Sequence, residues 1–171
     1  PLVLCHRFAP EAIFAATERW KPSFIVASIT AFAALIDSPA FAPEKLASLQ
    51  MAFSGGAPIP PALHGRIREA TGLYLRNVYG LTETSAPVLA APAGVETPVD
   101  PASGALSVGR PVPGTSVWIM AETGEPAAPG DVGEIVVSGP SVVEGYWQKP
   151  EATAEAMQPD GFRTGDVGLQ D

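Results

Sequence analysis

Apolar positions in the first half of the chain recur with a helical period in three places. Pro10-Glu11 followed by Ile13, Phe14 and Trp20 predicts a helix with proline in its first turn. Phe32, Leu35 and Ile36 form a second stripe that ends near Pro39, and Leu63, Ile67 and Ala70 a third, opened by Pro60-Pro61 and ended by Gly72. Between these stripes lie short apolar runs at 23–27, 49–53 and 73–78, each strand-sized. Strands separated by single helices are the signature of right-handed parallel βαβ units.

After about residue 100 the pattern changes, because eleven of the seventeen glycines fall in the last 71 residues and only 150–157 keeps a helical stripe. Ser116 to Met120 and Glu134 to Ser138 read as strands, with Glu122-Thr123-Gly124-Glu125 as a tight turn between them. The expected fold is therefore α/β: a partial parallel βαβ sheet followed by a small β-barrel or sandwich. The change of grammar divides the chain into an α/β part at 1–98 and a β-rich part at 99–171, joined through Ala-, Pro- and Gly-rich sequence.

Composition narrows the function. With 46% hydrophobic and 16% charged residues in 171, the chain has enough apolar surface for a core. Its longest apolar stretches are too short to span a bilayer. The net charge of −8 is concentrated late: 101–171 carries three basic and ten acidic residues, mostly a solvated face. A protein that neutralises nucleic-acid phosphates needs a basic face, so that class is set aside. A single cysteine, Cys5, excludes an internal disulfide, and a cytoplasmic location is expected. The chain opens on Pro1 and stops in mid-pattern, which suggests a piece of a longer protein.

Two loops at the carboxyl ends of the expected strands have suitable chemistry, since ligand crevices in open α/β sheets form there. Ser54-Gly55-Gly56-Ala57-Pro58-Ile59-Pro60 offers bare backbone before a helix amino terminus, although the spacing alone favours a plain strand-to-helix turn. Asn77 to Ser85 gathers an amide, a phenol, hydroxyls and a carboxylate, a mixture suited to a base, a phosphate and a cation; a polar loop capping a helix is the alternative. His6 and His64 read as surface or packing residues, and Trp20, Trp118 and Trp147 as core.

Four segments together, Ser54 to Pro60, Tyr79-Gly80-Leu81-Thr82-Glu83, Gly133-Glu134-Ile135 with Gly145-Tyr146-Trp147, and Phe162-Arg163-Thr164-Gly165-Asp166, resemble successive motifs of the adenylate-forming (AMP-binding) enzyme superfamily. Pro140 to Trp147 with Lys149-Pro150-Glu151-Ala152-Thr153 is most similar to acid-CoA ligases of the fatty-acyl or aryl type; an adenylation domain of a nonribosomal peptide synthetase, or a standalone nucleotide-binding or interaction module, is the alternative. The resemblance implies ATP, Mg²⁺ and CoA as cofactor and co-substrates, a small carboxylic acid as partner, and a two-step reaction through an acyl-adenylate. It implies Glu83 as the Mg²⁺ carboxylate and Thr82 as the hydroxyl on the α-phosphate, the pair taken as catalytic. It further implies Tyr79 stacked on adenine, with Gly55, Gly56 and Ala57 as the opposite wall and Asn77 on the adenine edge. Asp166 would accept the ribose hydroxyls, and Gly80 and Leu81 would border the acyl pocket, with Phe32 a further candidate lining residue. No Ser/Thr/Gly-rich phosphate loop ending in Lys-Gly occurs in this sequence, so the 171 residues alone are expected not to catalyse.

Overall fold

The computed structural model describes residues 2–5, 7–85 and 87–171; His6, named above, lies outside the described residues. The chain forms two compact units, each made of two segments: 1–79 with 90–110, and 80–89 with 111–171. The backbone crosses between these units after residues 79, 89 and 110.

The first unit is the expected βαβ array. Helix α1 (Pro10–Trp20) leads to β1 (Phe24–Ala27), then α2 (Ile29–Asp37), a 3₁₀ turn (Pro43–Leu46), β2 (Met51–Ser54), α3 (Pro61–Thr71) and β3 (Leu75–Tyr79). Strands β1 and β2 run parallel with Ile25 opposite Ala52, and β2 and β3 with Ser54 opposite Asn77. Two-residue strands β4 (Leu89–Ala90) and β5 (Arg110–Pro111) extend the sheet in the order β1-β2-β3-β4-β5, at points where the chain changes units. Prolines open α1 and α3, whose missing N–H costs nothing in a first turn. Gly72, at φ 72°, closes α3 in the left-handed conformation. The helical stripes bury Phe14, Phe32, Leu35 and Ile67 against Ala52, Leu75 and Leu106. Phe32 is thus a core residue of this unit.

The second unit is a curled antiparallel sheet ordered β6-β7-β9-β8, from β6 (Ser116–Met120), β7 (Val132–Ser138), β8 (Met157–Gln158) and β9 (Gly161–Leu169), with α4 (Pro150–Ala156) before β8. Val136, Val137 and Phe162 are buried in it. Strand β9 does not follow from the sequence pattern, because Gly161, Gly165 and Gly168 interrupt any apolar alternation. The expectation that Trp20 and Trp147 are core residues is wrong: they are 58% and 87% exposed, Trp20 beneath the Arg19 guanidinium 4.6 Å from its ring. Helix α1 ends at Trp20, beyond its buried stripe, and an aromatic ring beside a cation tolerates water. Among the described residues no helix is long and apolar enough to cross a membrane.

Candidate active site

The glycine loop leaves β2 at Ser54, in the first unit. A β-carbon on Gly55 would lie 2.8 Å from Val78 Cγ2 and 2.9 Å from the Val78 carbonyl oxygen, so the loop backbone lies directly against the end of β3. Gly56 has φ 83° and open space where a side chain would be. Ser54 is fully buried, and its Oγ has no hydrogen-bond partner among the described residues.

Strand β3 delivers Asn77 and Tyr79. Asn77 is buried, and its Nδ2 donates to the Leu106 carbonyl at 3.3 Å. That carbonyl belongs to a hairpin in which Val99 bridges Leu106 and Asp100 closes the turn, taking hydrogen bonds from Ala102 N–H, Ser103 N–H and Ser103 Oγ. Those bonds, the hydroxyl of Ser103 foremost, hold the Asp100 carboxyl below its ordinary value. Tyr79 is half-buried at the strand's end. Two further residues of this unit escaped the sequence reading. Arg76, 8% exposed, donates from Nε to the Pro92 carbonyl at 3.1 Å and from Nη1 to the Tyr74 carbonyl at 3.3 Å. The Tyr74 hydroxyl accepts from Thr97 N–H at 2.8 Å, and His64 packs edge-on against the Tyr74 ring at 4.8 Å. A buried arginine beside an apolar strand is visible in the sequence only as a charge that breaks the run.

The second unit begins at Gly80. Gly80 is exposed and Leu81 half-buried, and Thr82, Glu83 and Thr84 form a single 3₁₀ turn (Thr82–Thr84). Its cap is Thr84, whose buried hydroxyl accepts from Leu81 N–H and donates to the Leu81 carbonyl, both at 2.9 Å. Neither Thr82 nor Glu83 therefore caps a helix: Thr82 is exposed, and Glu83 is held from elsewhere. The Tyr146 hydroxyl donates to Glu83 Oε1 at 2.8 Å, and Val143 N–H donates to the Glu83 carbonyl at 2.8 Å. The bond to Glu83 first, then burial and the nearby negative charge, raises the Tyr146 phenol above its ordinary value, so it stays protonated and donating at neutral pH.

Asp166 stands on a bulge. Glu134 and Val136 of β7 face Val167 and Arg163 of β9, so three residues, 164–166, oppose Ile135 alone. Thr164 Oγ1 donates to the Ile135 carbonyl at 2.7 Å, Gly165 N–H to Glu134 Oε1 at 2.9 Å, and Asp166 N–H to Thr164 Oγ1 at 3.1 Å. Gly165 supplies the φ of 72° that the bulge needs. Bulges of this kind re-aim a side chain out of the pleat, and the carboxylate presented here is exposed.

The structure thus brings Glu83 together with Tyr146 in the second unit, and Gly55 with Val78 and Asn77 with Leu106 in the first. A single carboxylate fits a magnesium ion, which commonly takes one or two protein carboxylates and fills its remaining positions with phosphate oxygens and water. Glu83 offers a hard oxygen donor of that kind, with one oxygen already fixed by a phenol.

Comparison with known proteins makes the class of this α/β chain specific. The family model described as AMP-binding enzyme matches residues 1–147, and the chain belongs to that family. Feruloyl-CoA synthase from an Amycolatopsis species is 36% identical over 170 residues, which take in 99% of this chain and 33% of the relative. A long-chain-fatty-acid–CoA ligase of Bacillus subtilis is 35% identical over 173 residues, 99% of this chain and 30% of the relative. The crystal structure of ATP-bound MatB from Rhodopseudomonas palustris superposes with a TM-score of 0.85 at 32% identity, covering 98% of this chain and 32% of that one. The chain spans about a third of the length of the curated relatives it matches.

Proposed function

We propose that this chain supplies the adenine, ribose and metal contacts of an ATP-dependent acid-CoA ligase acting on a fatty or aryl carboxylic acid. The observation that carries the reading is the hydrogen bond from Tyr146 to Glu83, which joins two of the family-like motifs across 63 residues of sequence. A packing residue on a surface turn has no need of a tyrosine from so far away; a carboxylate that must present one oxygen in a fixed direction does.

In this reading the acid's carboxylate attacks the α-phosphate of ATP, pyrophosphate leaves, and the thiol of CoA then displaces AMP to give the thioester. Thr82 donates its hydroxyl to an α-phosphate oxygen. Glu83 holds Mg²⁺, which supplies charge neutralisation of the phosphates. Tyr79 stacks on adenine with Gly55, Gly56 and Ala57 as the facing wall; the bare backbone at Gly55 and Gly56 is what lets a flat ring approach. Asn77 spends one amide hydrogen on Leu106, which fixes the amide plane and leaves its other hydrogen and Oδ1 for the adenine edge. Asp166 accepts both ribose hydroxyls, and Gly80 and Leu81 border the acyl group. A cytoplasmic location belongs to the same reading, since Cys5 is an exposed free thiol and the substrates are intracellular.

The test is thiol consumption by the full-length product of the gene that encodes this chain, given ATP, Mg²⁺, CoA and a panel of fatty and aryl acids. Acid-dependent loss of thiol with AMP as the nucleotide product is expected. Formation of ADP, or no response to any acid while the protein is folded, contradicts the reading.

A further inference from the structure

The Glu83 carboxylate hangs on three rotatable bonds from a short 3₁₀ turn, half-exposed to water, so the turn alone does not fix where its oxygens point. The loop 143–146 does. Val143 N–H fixes the Glu83 main chain and the Tyr146 hydroxyl fixes Oε1, each at 2.8 Å, so backbone and side chain are held by one loop at two points. That loop is itself anchored on α4. Thr153 Oγ1 accepts from Tyr146 N–H at 2.9 Å and donates to the Lys149 carbonyl at 2.8 Å. A β-carbon at Gly145 would collide with the Thr153 side chain, so the loop lies against this one residue with no room for any other side chain.

We propose that Tyr146 is a positioning residue that fixes the rotamer of the Glu83 carboxylate, and that Thr153 on α4 anchors Tyr146 for that task. The inference rests on the reading of Glu83 as the magnesium carboxylate. A phenol donating to one oxygen leaves the other aimed away from it, the arrangement by which outer groups orient metal carboxylates. Thr153 serves through both its hydroxyl and its position in the helix: the hydroxyl is donor and acceptor at once, so serine replaces it and valine, of nearly the same shape, does not.

The test uses the full-length gene product and two readouts: the Mg²⁺ concentration for half-maximal pyrophosphate exchange, and the binding of Mn²⁺ in the presence of ATP, read from the electron spin resonance of the free ion. Tyr146→Phe keeps the ring and removes the donor; it is expected to weaken both about tenfold, the usual scale for an outer-sphere group, with the melting temperature little changed. Thr153→Val is expected to shift both in the same direction, and Thr153→Ser to restore them. If Glu83→Gln weakens both readouts while Tyr146→Phe and Thr153→Val leave them at wild-type values, the positioning role is wrong and the reading of Glu83 stands. If Glu83→Gln changes neither, the metal reading fails first. Should Tyr146→Phe not fold, the Thr153 pair decides: equal values for valine and serine overturn the anchor.

Discussion

A β-carbon at Gly55 meets Val78 within van der Waals distance of both its side chain and its carbonyl, whereas one at Gly56 meets nothing but must adopt φ 83°. The two neighbours therefore respond differently to substitution. Gly55→Ala forces the loop away from β3 and should cost about 1–3 kcal/mol, the scale of overpacking. Gly56→Ala should cost about 1–2 kcal/mol from the left-handed backbone alone, and Gly56→Asn less, because asparagine tolerates that region. Urea denaturation of the three variants checks the order. The reverse order, with Gly56→Asn the worst, would show that the glycine loop does not lie on Val78 as described.

At the scale of elements, the bulge in β9 makes Asp166 conspicuous. Glu134 on β7 receives Gly165 N–H at the crown of the bulge, so Glu134→Ala removes an acceptor without touching Asp166. The expected result is faster hydrogen exchange at Gly165, with protection in the paired stretch of Val136 and Val137 retained. The hairpin that carries Leu106 gives a pH prediction. Asp100 is depressed in the folded state by its bonds to Ser103 and Ala102, so its contribution is present above the unfolded carboxyl value and is lost as pH falls through the lowered folded one. Acid should therefore loosen the Ser103 amide first, visible by exchange-sensitive NMR, and Asp100→Asn should bring that loosening to neutral pH. These elements also mark what was legible from sequence. The stripes at Phe14, Phe32 and Ile67 and the stops at Pro39 and Gly72 are local signals, and α1 to α3 formed where they point. The bulge, the Tyr146–Glu83 bond and buried Arg76 depend on partners distant in sequence, and in a glycine-rich strand such as β9 the apolar alternation that would announce pairing is absent. The roles of Thr82, Glu83, Asn77, Tyr79 and Asp166 came from motif resemblance and stay proposals; the residues around them that hold their geometry came from the structure.

At the scale of the whole molecule, the first unit is completed by a returning segment, 90–110. Residues 92–97 are fastened to β3 by Arg76 at Pro92, and to the residue before that strand by the Tyr74 hydroxyl at Thr97. Tyr74→Phe should cost about 1 kcal/mol for the lost hydrogen bond, and Arg76→Ala more, because two carbonyls lose their donor and a buried stem its packing. As an isolated polypeptide the 171 residues should fold but bind ATP at millimolar levels or more weakly, about 4 kcal/mol of binding free energy, because no basic phosphate loop occurs among them. Calorimetry with ATP and Mg²⁺ measures this directly, and micromolar affinity would show that the chain is a complete nucleotide site.

The central claim, that Glu83 is the metal carboxylate of an adenylate-forming site, is tested most directly by acid-dependent exchange of labelled pyrophosphate into ATP, wild type against Glu83→Gln in the full-length gene product. The account predicts exchange in the wild type only when a carboxylic acid is present, and a loss of about 10²-fold or more in the variant at unchanged melting temperature. Wild-type exchange rates in Glu83→Gln across the whole range of Mg²⁺ concentration would contradict it.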